Sequence, residues 1–144
     1  MRRRWILVSL FLLGCLASLR GSEANLPVSK PATSEEVLAV VWGQLAAFRT
    51  QNLPKAYGYA AAALREQMPL PAFVRMVQRN YPEIWENTRA EFGVVRDDGT
   101  RAKLVVQVFV KDGGATYDYV LFKETDGWRI GSVLRRESHK ANQM

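Results

Sequence analysis

The chain has almost no cysteine and almost no histidine: Cys15 is its one cysteine and His139 its one histidine in 144 residues. An internal disulfide needs two cysteines, and a zinc centre built on cysteine and histidine needs three or four, so neither can form within the chain. A Ser-His-Asp relay would have to use His139, which sits in the polar C-terminal run RRESHKANQM, where a solvated side chain is expected. There is no Gly-rich phosphate loop and no basic stripe of the kind that tracks a nucleic acid. The missing residue types thus remove disulfide, serine-relay and Cys/His metal chemistry, and no metal or other cofactor is expected.

What the N-terminus does have is a targeting pattern. Arg2, Arg3 and Arg4 precede an apolar run over residues 5–19, broken only by Ser9, Gly14, Cys15 and Ser18. A basic start and an apolar stretch shorter than the roughly 20 residues that span a bilayer read as an export signal. An extracytoplasmic location, in a bacterial periplasm, is therefore expected. The signal can end in two ways. Ser22 and Ala24 put small residues where a signal peptidase inspects them, which gives a signal over 1–24 and a mature chain from Asn25. Alternatively, Leu12, Leu13, Gly14 and Cys15 resemble a lipobox, with a signal over 1–14 and a lipidated Cys15 as the only membrane contact. Setting aside Arg2, Arg3, Arg4, Arg20 and Glu23 lowers the formal net charge from +6 to +3, from 16 basic and 13 acidic residues. Dispersed as it is, that excess suits solubility and argues against nucleic acid.

Beyond Ala24 lies enough chain for one domain. Residues 25–33, with Pro27 and Pro31, read as a linker, 34–136 as the domain and 137–144 as a polar tail. Thr33 and Glu36 fit a capping box, and Val37, Leu38, Val41, Leu45 and Phe48 then recur at helical spacing. Pro54 opens a second helix through Tyr57, Ala60, Ala61 and Leu64. Pro69 and Pro71 open a third, with a stripe of Phe73, Met76, Val77 and Tyr81, which Pro82 closes. After Glu91 the period changes to two. Three Asp-Gly steps, at Asp98, Asp112 and Asp126, punctuate β-rich runs and predict a four-stranded antiparallel meander over 89–95, 102–110, 116–123 and 128–135. Both faces of the second strand are apolar, so both should be at least partly covered. The expected class is α+β, three helices packed on a curved four-stranded sheet.

This order, with the stretch AYGYAAAALREQMPLPAFVRMVQRNYPEIW and the closing DGWRIGSV, resembles the nuclear transport factor 2-like superfamily. The middle stretch is similar to a bacterial family known as domain of unknown function 4864. The resemblance implies a cone in which helices and concave sheet enclose an apolar cavity, and often a homodimer. The superfamily's cone hosts enzymes, binding modules and assembly factors alike. In the isomerase branch, an Asp in the cavity moves a proton beside a Tyr. Here Asp118 lies between Tyr117 and Tyr119, but strand alternation puts it on the face opposite both. Asp97, Asp98 and Asp112 read as turn residues and Arg135, Arg136 and Lys140 as a solvated end. The leading expectation is a non-enzymatic binding or interaction module, with Tyr57, Tyr59, Phe73, Tyr81 and Trp85 around a cavity for a small apolar ligand or a protein partner. The alternative is a small-molecule isomerase or dehydratase using a cavity carboxylate such as Asp118.

Overall fold

The computed structural model describes residues 26–137. Cys15, both candidate signal ends, His139 and Lys140 lie outside the described residues. Helices come first: α1 (Pro31–Arg49), α2 (Leu53–Gly58), α3 (Ala62–Gln67), α4 (Leu70–Asn80) and α5 (Pro82–Trp85). Strands follow: β1 (Arg89–Phe92), β2 (Arg96–Asp97), β3 (Arg101–Val110), β4 (Gly113–Glu124) and β5 (Gly127–Arg135). The fold is α+β, with all strands antiparallel in the order β1-β3-β4-β5 and β2 also paired to β3. The sheet is open, and β5 forms one of its edges.

The stripe read in α1 is the helix's buried face: Val37, Val41, Leu45 and Phe48 are all shielded from solvent. The start differs from the expected capping box. Lys30 occupies the cap without a side-chain hydrogen bond, and Pro31 opens the first turn, where its fixed φ suits the helix and its missing N–H costs nothing. The segment read as a linker is also part of the fold from Leu26 onward. Ser29 N–H donates to Val95 O at 2.9 Å, Asp97 N–H to Pro27 O at 3.1 Å and Arg96 Nη1 to Leu26 O at 3.1 Å. Leu26 is buried.

Two expected helices divide differently. The alanine-rich run from Pro54 is cut at Tyr59, Ala60 and Ala61, which leave the helix to pair with Ile130 of β5. Ala61 N–H donates to Ile130 O at 2.8 Å and Ile130 N–H to Tyr59 O at 2.9 Å. Alanine's helix preference of a few tenths of a kcal/mol per residue yields here to tertiary pairing. Pro82, expected as a stop, instead begins the short α5.

The Asp-Gly turns fall where the sequence puts them, with Gly99 and Gly127 at φ of 92° and 126°, a region open to glycine at no steric cost. The first expected strand is interrupted. Phe92 pairs with Val106 but Arg96 with Lys103, a one-residue slip that marks a bulge over residues 93–95 and yields β1 and β2 as separate pieces. Hence the described residues hold five helices and five strands where three and four were expected.

On β3, Ala102, Leu104, Val106 and Val108 are buried and face the same way as Leu121, Tyr119, Tyr117 and Ala115 across the β4 register. This inner face meets the helices in one core with Phe48, Phe73, Val77 and Ile84. The other face of β3, with Lys103, Val105, Gln107 and Phe109, is half-buried or exposed, and the Arg89 guanidinium lies 3.8 Å over the Phe109 ring. The Phe109 ring is thus screened on that face by a cation.

Two substitutions test the inner face. Leu104→Ala, at a residue 1% exposed, should cost about 2–5 kcal/mol. Tyr119→Phe should be neutral or stabilising by about 1 kcal/mol, because the buried Tyr119 hydroxyl has no hydrogen-bond partner among the described residues. Urea unfolding of both variants measures this, and a clear loss in Tyr119→Phe would contradict an orphaned hydroxyl.

Candidate functional site

A cavity of about 240 Å3 lies between the helices and the β5 edge. Its helical wall follows from two amphipathic stripes. Gln44 and Phe48 come from α1, Leu64 from α3, and Phe73, Met76 and Val77 from one face of α4. Its sheet wall is residues 130–134 of β5. The local cause is a second bulge: Val120 pairs with Ser132 but Leu121 with Ile130, so Gly131 is an extra residue in β5. A Cβ on Gly131 would lie 2.1 Å from the Phe122 ring, so no larger residue fits this bend without moving that ring.

Few polar groups reach this space. Gln44, 5% exposed, donates Nε2–H to Ala56 O at 3.1 Å. Tyr81 donates its hydroxyl to Val133 O at 3.0 Å, and burial pushes its pKa above the usual phenol value, so it stays a phenol at neutral pH. Ser132 adds a hydroxyl from β5. No Asp, Glu, Lys, Arg or His is among the lining residues.

A charged cluster lies outside the lining. The buried Glu83 carboxylate, on α5, accepts from Tyr117 Oη at 2.8 Å and from Arg135 Nε at 2.9 Å, and Arg135 Nη2 also donates to it. Burial alone would raise the Glu83 pKa. The hydrogen bonds from Arg135 and Tyr117 outweigh that and hold the carboxyl below its usual range. Burial, and then the carboxylate itself, push Tyr117 well above an ordinary phenol. The result is a clamp that ties α5 to β4 and β5, with its acid fully ionised and fully engaged.

Of the five aromatics expected around the cavity, Phe73 and Tyr81 line it. The other three are spent on packing. Tyr57 Oη lies 2.9 Å from Arg65 O and 2.6 Å from Met68 O, and its ring packs 5.2 Å from Phe73. Tyr59 lies over Gly43, where a Cβ would come within 2.5 Å of its hydroxyl. Trp85 is tilted against Phe48 with ring centroids 5.9 Å apart. Asp118 stands on the face opposite Tyr117 and Tyr119 and takes both Nε and Nη2 of Arg136, at 2.9 and 2.8 Å. Asp98 closes its turn by accepting from Thr100 N and Arg101 N, at 2.9 and 2.8 Å, and those bonds lower its pKa. Among the described residues no group of three His, Cys, Asp or Glu side chains could hold a metal ion.

Sequence reasoning missed Gln44, Met76 as a cavity residue, and the β5 wall. Gln44 carried a readable signal, since it sits on the same helical face as Val37, Val41 and Phe48 and is the polar residue in an apolar stripe. The β5 wall carried none, because a bulge has no fixed residue pattern.

The Glu83 clamp predicts a pH dependence. Its folded pKa is lowered, so its contribution is complete above the unfolded carboxylate value near 4.3 and is lost as pH falls through the folded value. Glu83→Gln should cost about 1–3 kcal/mol at pH 7 and flatten the acid limb of stability against pH. Melting between pH 2 and 7 checks this, and an unchanged acid limb would contradict it.

No curated protein and no solved structure matches the chain. A family model does match, over residues 30–143, which takes in α1 through β5 and includes the whole cavity. The chain belongs to that family, described as domain of unknown function DUF4864.

Proposed function

We propose that the protein is an exported, non-enzymatic binding module that takes one compact apolar molecule into the cavity between α4 and β5. One observation carries the reading: about 240 Å3 of space with largely aliphatic and aromatic walls. An engineered cavity of about 150 Å3 with Leu, Ile and Phe walls binds benzene, so this space suits a ring bearing a short alkyl chain. At about 0.8 kcal/mol per buried methylene, such a guest gains most of its affinity from leaving water.

The charges support binding over catalysis. An isomerase or dehydratase needs a carboxylate able to reach the guest and change protonation. Glu83 is committed to Arg135 and Tyr117, and Asp118 is committed to Arg136 on the other face. The helices-then-sheet order and a cavity between them support placement in the nuclear transport factor 2-like superfamily, as a cone with one open edge. Arg2, Arg3 and Arg4 with the apolar run over 5–19 support export, ending either in release after Ala24 or in a lipid anchor at Cys15.

Ligand linkage tests the reading. Propylbenzene at 100 times its dissociation constant should stabilise the protein by about 2.7 kcal/mol. Met76→Trp, which fills the space, should fold and lose that response. Calorimetric melting with and without propylbenzene measures both. A wild-type protein indifferent to propylbenzene would sink the proposal.

A further inference from the structure

Gln44 is the one carboxamide in the cavity wall, and its orientation is fixed by chemistry. A backbone carbonyl can only accept, so the group 3.1 Å from Ala56 O must be the Nε2 amide, and Oε1 must point elsewhere. That oxygen has no hydrogen-bond partner among the described residues, although the side chain is 95% shielded from solvent. Tyr81 is arranged in the same sense. Its one proton goes to Val133 O, which leaves its oxygen lone pairs for anything beside it. Gln44 and Tyr81 both line the cavity, so a guest there meets two acceptors, and no cationic side chain is among the described lining residues.

We infer that the cavity selects a neutral apolar ligand bearing one hydrogen-bond donor, a phenol or an alcohol, with Gln44 Oε1 as the acceptor that reads the donor. This rests on the binding reading above and narrows it. A hydroxyl guest replaces the solvent that otherwise meets this acceptor, whereas a guest without a donor displaces that solvent and leaves the acceptor unmet, which costs more than an unmade bond in water. A carboxylate would bring its charge against two oxygen lone-pair sets, with no cation and only the Ser132 hydroxyl and the second Gln44 Nε2–H as side-chain donors among the lining residues, so fatty and aromatic acids are disfavoured. A methyl ether of the same shape would fit the walls and leave Gln44 unsatisfied.

Four matched probes separate these outcomes: 4-propylphenol, 4-propylanisole, propylbenzene and 4-propylbenzoate, titrated calorimetrically into the purified protein. The phenol should bind roughly 3- to 10-fold tighter than the ether and the hydrocarbon, with the benzoate weakest. In Gln44→Met, similar in length but without the acceptor, the phenol's advantage should disappear while propylbenzene binding stays. In the wild-type protein the Gln44 side-chain amide resonances should shift with the phenol and move less with propylbenzene, a readout independent of how well the variant folds. Equal binding of phenol and ether, tighter binding of the benzoate, or a preference kept in Gln44→Met would overturn the inference and leave the apolar-cavity reading standing. Binding of none of the four would overturn both.

Discussion

Two backbone hydrogen bonds, from Ala61 N–H to Ile130 O and from Ile130 N–H to Tyr59 O, decide how the helices sit on the sheet. A continuous helix through Ala60 would have spent those groups inside itself. By leaving the helix there, the chain bridges its helical layer to the β5 edge at one point, and α3 and α4 then continue alongside that edge. The bulge at Gly131 falls immediately after the bridge and turns the rest of β5 past the helices. The space between them is what remains when one end of an edge is tied and the next few residues are not.

The inner sheet face shows the opposite economy. Leu104 and Val106 are paired with Tyr119 and Tyr117, all at most 1% exposed, and the Tyr117 hydroxyl is satisfied by the Glu83 carboxylate. Buried polar groups of this kind are tolerated when each partner is met, and Arg135 completes the set from the solvent side. The clamp holds α5 against β4 and β5, and the Tyr81 ring packs on Tyr117 with centroids 6.0 Å apart. A packed core thus lies beside an apolar opening. The same clamp explains why a buried acid near a tyrosine does not amount to a catalytic pair: its protonation is fixed by the cation it holds.

Much of this was readable in advance, and the reasons differ from element to element. The α1 stripe and the Asp-Gly hairpins are local signals, set by side-chain period and by the φ that glycine allows, so they survive folding unchanged. The break at Ala60 and the start at Pro31 are not local. The first depends on a strand 70 residues away, and the second on Leu26 and Ser29 being held by β2. At the site, alternation correctly turned Asp118 away from Tyr117 and Tyr119. Aromatic character alone could not separate Phe73 and Tyr81, which line the cavity, from Tyr57, Tyr59 and Trp85, which pack half-buried against the core. Gln44 was the better guide, since a polar residue on a buried stripe has to be explained by what it meets.

The central claim is that the space between α4 and β5 is occupied in the protein's own surroundings. Native mass spectrometry of protein purified gently from the cells that make it measures this directly. The account predicts a mass excess from one retained neutral molecule, absent when the space is filled by a larger side chain at Met76. A ligand-free mass for the natural protein, or the same excess in the filled variant, would contradict it.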